Sequence, residues 1–91
     1  MNAKFSLGRL LATPGALEAL RESGEEASFF LSQHASGDWG VVDSEDAQLN
    51  DQSVHDGTRI LSAYILQSDV HIWIITEADR SATTVLLPDE Y

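Results

Sequence analysis

Residues 13–24 form the first stretch in which apolar positions recur at helical spacing. Thr13 is suited to cap the start of a helix, and Pro14 suits its first position because the missing N–H is not needed there. Gly24 is suited to end it. The pattern therefore predicts a first helix from about residue 13 to residue 24.

A second helix is predicted directly afterwards. Ser23 and Glu26 have the spacing of a capping box, and Gly37 is placed to end the helix. Four residues fall at the i, i+3, i+4 and i+7 positions of an amphipathic helix: Ala27, Phe30, Leu31 and His34. We expect this face to contribute to the core.

A third helix is predicted from Asp43 or Ser44, either of which can cap it, to about Asp56. Its apolar face is thin, because only Ala47, Leu49 and Val54 contribute to it. Gly57 is its natural end.

From residue 58 onward the hydrophobic period changes to two, which is typical of strands. Residues 58–67, 70–77 and 82–88 predict an antiparallel meander, with hairpin loops at 67–69 and 78–81. Alternation in residues 4–12 predicts a further strand, with Gly8 as a bulge or a close-approach position. The expected fold class is α+β. It comprises two or three N-terminal helices packed on a three- or four-stranded antiparallel sheet, in a single domain of residues 1–91.

Charge is the feature of composition that most changes this picture. Fifteen acidic and five basic residues give a net charge of −10, so we expect no direct binding to nucleic acid or to a membrane. The longest apolar run, at residues 70–75, is too short to span a bilayer, and the first 15 residues do not have the pattern of a signal peptide. A cytoplasmic location is expected, and the absence of cysteine is compatible with it.

The sequence contains no motif that predicts catalysis, a cofactor or a metal site. Three histidines lack the spacing of metal ligands: His34, His55 and His71. Ser81 has no nearby general base, and we expect it to lie in a hairpin loop in which Arg80 pairs with Glu77 or Asp79. We therefore expect no enzyme activity, no cofactor and no bound metal.

The acid-rich segment of residues 38–56 is the most informative feature for function. Between Arg21 and Arg59 the chain has nine acids and neither Lys nor Arg. The commonest meaning of such a segment is a solvated surface that keeps a small protein soluble. The alternative is a docking surface for a basic protein, including one that imitates the phosphates of nucleic acid.

Trp39 lies inside this segment between Gly37 and Gly40, and it is either an exposed anchor for a partner or folded inward over the core. The candidate partner-binding residues are therefore Asp38, Trp39, Asp43, Glu45, Asp46, Asp51 and Asp56.

Three stretches and one residue together resemble a family of small uncharacterised bacterial "plasmid-related" proteins found on plasmids and other mobile elements: GDWG (37–40), RILSAY (59–64), WIITEADRSATTVLLPDEY (73–91) and Asn50. The resemblance covers about residues 5–91 and implies no catalytic residue. It implies a mobile-element origin, which is typical of anti-restriction and anti-CRISPR inhibitors.

These observations predict a non-enzymatic acidic binding protein. Its expected role is that of a mobile-element inhibitor of a host nucleic-acid-binding or defence complex, acting as a DNA mimic through its negative surface. The alternative is a small structural or accessory protein, either monomeric or homodimeric, whose acidity only serves solubility.

Overall fold

The computed structural model describes residues 3–91 and shows an α+β fold with three helices and one four-stranded sheet. The elements in chain order are β1 (Arg9–Ala12), α1 (Pro14–Ser23), α2 (Ala27–Ala35), α3 (Ser44–Asp56), β2 (Ile60–Ile65), β3 (His71–Thr76), β4 (Ala82–Leu86) and a final 3-10 turn (Pro88–Glu90). The predicted fold class is thus confirmed.

Two of the three helices begin at the capping residue predicted for them. The Thr13 hydroxyl accepts a hydrogen bond from the N–H of Ala16 at 3.1 Å, and the Asp43 carboxylate caps α3. The capping box predicted for α2 is wrong. Ser23 belongs to the last turn of α1, where its hydroxyl donates to the carbonyl of Leu20, and Glu26 precedes α2 without a side-chain cap.

The strand order is β1-β4-β3-β2, and the last three strands in the chain form the predicted antiparallel meander. The prediction of a wholly antiparallel sheet is wrong for β1, which runs parallel to β4. The chain leaves β1 through three helices and returns through β2 and β3, so β4 arrives beside β1 in the same direction. The pattern of one strand contains no information on this direction.

β1 is also shorter than the predicted strand because it begins only at Arg9. Gly8 has a φ of +64°, and a Cβ at this position would overlap the carbonyls of Arg80 and Ser81. The predicted close approach of Gly8 to another segment is confirmed.

Helices α1 and α2 pack on one face of the sheet. The buried residues of this core cluster are Ala16, Ala19, Leu20, Phe30, Tyr64, Leu66, Ile72, Ile74 and Val85. Alternate strand residues point to the opposite face, where Tyr91 packs on Trp73 with ring centroids 5.9 Å apart.

The outer edge of β2 is covered by the loop between α2 and α3. The N–H of Val41 donates to the carbonyl of Ala63 at 2.7 Å, and the N–H of Ala63 donates to the carbonyl of Trp39 at 3.1 Å. Gly40, with a φ of +77°, lies so close to Ala63 that a Cβ would overlap its carbonyl oxygen. Only glycine fits this contact without moving the loop.

Gly40→Ala is therefore expected to lower the free energy of unfolding by about 3 kcal/mol or more, because it adds strain and displaces two hydrogen bonds. Gly57→Ala is the matched control, since Gly57 also has positive φ (+73°) but has open space around its Cβ position. The control should lose only about 1 to 2 kcal/mol. Urea denaturation measures both, and equal losses would contradict the close contact.

Candidate partner-binding surface

All six candidate acids between residues 38 and 56 are exposed. Asp38 lies in the loop after α2, and Asp43 caps α3. Glu45 and Asp46 lie in the first turn of α3, Asp51 near its middle and Asp56 at its end. The negative segment is thus built mainly on one 13-residue helix and the loop that leads into it.

Three of these carboxylates form hydrogen bonds that hold the local structure. Asp38 accepts from the side-chain amide of Gln33 at 3.0 Å. Asp43 accepts from the N–H of Asp46 at 2.8 Å, and Asp51 accepts from the indole N–H of Trp39 at 3.0 Å. These three acids have a structural role whether or not a partner binds.

The carboxylates of Glu45, Asp46 and Asp56 accept no hydrogen bond from residues 3–91. Glu45 and Asp56 are eleven positions apart, which is close to three helical turns, so they project from the same side of α3 about 16 Å apart along its axis. Gln48 and Gln52 lie between them on that side. We call the side formed by Glu45, Gln48, Gln52 and Asp56 the outer face of α3.

Trp39 is buried, with only 6% of its surface exposed, so it is not an exposed anchor. Its ring stacks on Phe5 with centroids 6.1 Å apart and meets the ring of His34 edge-on at 5.9 Å. The inward orientation left open by the sequence is the one observed. Through its bond to Asp51, Trp39 ties α3 to the end of α2.

Folding brings two cations to the flanks of α3 although the sequence segment itself has none. Lys4 lines a shallow pocket together with Asp51, Val54 and His55. On the other flank, Arg59 lines a smaller pocket with Asp46 and other α3 residues. The negative surface is therefore narrower than the sequence suggests, and the outer face of α3 lies between the two cations.

Two polar side chains hold α3 against the sheet. The amide of Asn50 donates to the carbonyl of Leu61 at 2.7 Å and accepts from its N–H at 3.2 Å, so it pairs with the edge of β2 as a neighbouring strand would. This role could not be predicted from the sequence, because an Asn in a polar helix carries no local signal of a distant backbone partner.

Arg80 provides the second attachment, and its predicted charge pairing with Glu77 or Asp79 is wrong, because its guanidinium contacts Glu77 only at the backbone carbonyl, at 3.2 Å. Its guanidinium donates to the carbonyl of Ser53 at 2.7 Å and to that of Thr58 at 2.7 Å. A cation at the last carbonyls of α3 also complements the helix dipole. The β3–β4 hairpin thereby fixes the end of the acidic helix.

His34 is fully buried in a chain of hydrogen-bonded side chains. Its Nδ1 pairs with the hydroxyl of Ser62 at 2.5 Å, and its Nε2 pairs with that of Thr76 at 2.8 Å. The chain continues from Thr76 to Thr83 at 2.7 Å, and Thr83 donates to the carbonyl of Leu7 at 2.7 Å. Burial, with a smaller contribution from the charge of Arg80, lowers the pKa of His34 to about 4.

His34 and Ser62 are residue types that can act as a general base and a nucleophile. Both are fully buried, so a substrate has no access to them. The other two histidines, His55 and His71, are exposed and lie on different elements. Among residues 3–91 there is no group of three potential metal-ligating side chains. The His34 chain is thus a structural network.

No protein-family model, curated protein or solved structure shows significant similarity to this chain. None of the helices within residues 3–91 has the length and apolar character needed to cross a bilayer.

The stability of the protein should fall between about pH 6.5 and about pH 4 because of His34. The unfolded chain binds a proton at this residue near its ordinary pKa of 6.5, whereas the folded protein binds it only near 4. The stabilisation that comes from neutral His34 is fully present above pH 6.5 and is lost as the pH falls towards 4. The free energy of unfolding should decrease by about 3 kcal/mol across this window.

His34→Gln removes this titration and should flatten the dependence of unfolding free energy on pH across that window, while lowering stability at neutral pH by about 1 to 3 kcal/mol. Urea denaturation at several pH values provides the comparison. His55→Gln changes an exposed histidine and should keep the wild-type slope. If the unfolding free energy of His34→Gln depended on pH as steeply as that of the wild type, His34 would not be the source of this pH dependence.

Proposed function

We propose that this protein is a non-enzymatic binding protein that docks on a basic protein surface through the outer face of α3 and the adjacent Asp46. The observation that carries the proposal is the set of carboxylates of Glu45, Asp46 and Asp56, which are exposed and have no hydrogen-bond partner within residues 3–91. The bonds of Asn50 and Arg80 hold their helix in place, so little order must be gained on binding.

The partner that fits this surface presents clustered Lys and Arg, as nucleic-acid-binding proteins do. We infer that the protein acts in the cytoplasm as an inhibitor of a host nucleic-acid-binding or defence complex, of the anti-CRISPR or anti-restriction type. This role also rests on the expectation of a mobile-element origin that was drawn from the sequence alone. Carboxylates on a fixed helix would occupy the basic site that otherwise binds phosphates.

A second candidate is a small structural or accessory protein whose acidity only serves solubility. The observation in its favour is the presence of exposed apolar side chains on the sheet face opposite α1 and α2, where Ile65 is 45% and Leu11 is 41% exposed. This candidate predicts no partner that depends on the acids of α3.

Reversing the three free acids in one variant, Glu45→Lys, Asp46→Lys and Asp56→Lys, is expected to abolish binding to the basic partner because attraction becomes repulsion. The N-cap Asp43 is left intact, so the helix keeps its start. Affinity capture from a host lysate at low and high salt, with and without competing DNA duplex, is the measurement. The proposal expects a nucleic-acid-binding complex that duplex DNA displaces.

The matched control carries the same change in net charge on exposed acids of other elements: Glu22→Lys, Glu77→Lys and Asp89→Lys. It should capture the same complex as the wild type. Loss of capture in both variants would indicate a nonspecific charge effect, and an empty capture by the wild type at low salt would count against the function itself.

A further inference from the structure

β1 forms one end of the sheet, and its outer side pairs with no other described strand. The N–H groups of Arg9 and Thr13 donate to carbonyls of the β4 side, at Ser81 and Val85. Because backbone groups alternate in direction along a strand, those of Leu10 and Ala12 point outward. The β1 edge therefore offers a row of free donors and acceptors.

The strand is short, with four residues, and Arg9 is its only charged residue. It contains no proline or lysine, and no strand within residues 3–91 pairs with its outer side. Leu10 is 58% exposed on one side of the strand and Leu11 is 41% exposed on the other. The opposite edge of the sheet, at β2, is covered by the Asn50 amide and by residues 39–41. The open, apolar edge at β1 is thus distinctive within this fold.

We propose that β1 pairs with β1 of a second copy of this chain, antiparallel about a two-fold axis at Leu11. Leu10 then lies opposite the partner's Ala12, and each of the two symmetric pairs exchanges two backbone hydrogen bonds. Leu11 packs against the partner's Leu11, where opposed side chains approach most closely. The two sheets become one continuous sheet of eight strands.

Charge complementarity supports the pairing of β1 with a second copy of the chain in this register. Arg9 lies opposite the partner's Thr13, and in each copy the Thr13 hydroxyl donates to the carboxylate of Glu90 at 2.5 Å. That bond, followed by the one from the Leu87 N–H, lowers the pKa of Glu90, which keeps its carboxylate ionised. Arg9, which forms no ion pair within residues 3–91, meets this carboxylate twice in the dimer.

The overall charge distribution favours the same edge. The charged residue of β1 is the cation Arg9, whereas the acids of α3 lie beside β2 at the other end of the sheet. Pairing through β1 therefore keeps the α3 acids of two copies, each with a net charge of −10, far apart.

Sedimentation equilibrium of the wild type is expected to show a reversible dimer. Leu11→Lys places like charges directly opposite each other and should weaken dimerisation by at least about tenfold. Leu49→Lys is the matched control, because Leu49 is 58% exposed on α3, far along the sheet from β1, and it should dimerise as the wild type does. A wild type that stays monomeric at NMR concentrations, or equal dimerisation of both variants, overturns the proposal.

A charge exchange tests the register independently of fold stability. Arg9→Glu and Glu90→Arg should each weaken the dimer, because each places like charges opposite one another, and the double variant should recover most of the loss. Thermal unfolding of each variant at a concentration where it is monomeric separates misfolding from lost association. Failure of the double variant to recover dimerisation, with folding intact, refutes the antiparallel register.

Discussion

The buried hydrogen-bond chain through His34 is the constraint on which the rest of this structure depends. It joins α2 to β2 and β3 through Ser62 and Thr76, and it continues through Thr83 to the backbone carbonyl of Leu7. Each of these polar groups would cost free energy in an apolar core if it lost its partner. A shift of one strand by one residue would unpair several at once, so the network selects a single register.

Polar contacts also explain how α3, which has little apolar surface, is held against the sheet. α3 buries Asn50 and Ser53 rather than a leucine stripe, and it is held by backbone partners on β2 and by Arg80 of the β3–β4 hairpin. Because these bonds use only the inner side of the helix, its outer face is free to carry acids. Local attachment and exposed negative charge are thus compatible in one short element.

The parts of the fold that the sequence predicted depend on residues close together in the chain. Thr13 and Asp43 cap their helices within three positions, and period-two runs define the meander. What the sequence could not predict depends on distant partners. The parallel direction of β1, the inward turn of Trp39 and the bonds of Arg80 to Ser53 and Thr58 are set by tertiary packing that local patterns do not encode.

The two proposed surfaces lie at opposite ends of the sheet, and this placement has a consequence for binding. In the proposed dimer, β1 becomes central and the two β2 strands lie about 34 Å apart at the usual strand spacing. One copy of α3 lies beyond each β2 strand, so the two helices are separated by more than this distance. Two negative helices at that separation would engage a symmetric or repeated basic partner at both ends. Once the first helix is bound, the second would bind at a high effective concentration. Modest contacts at each α3 would then give a tight complex, so the open edge of β1 would strengthen the proposed binding without contributing to the acidic surface itself.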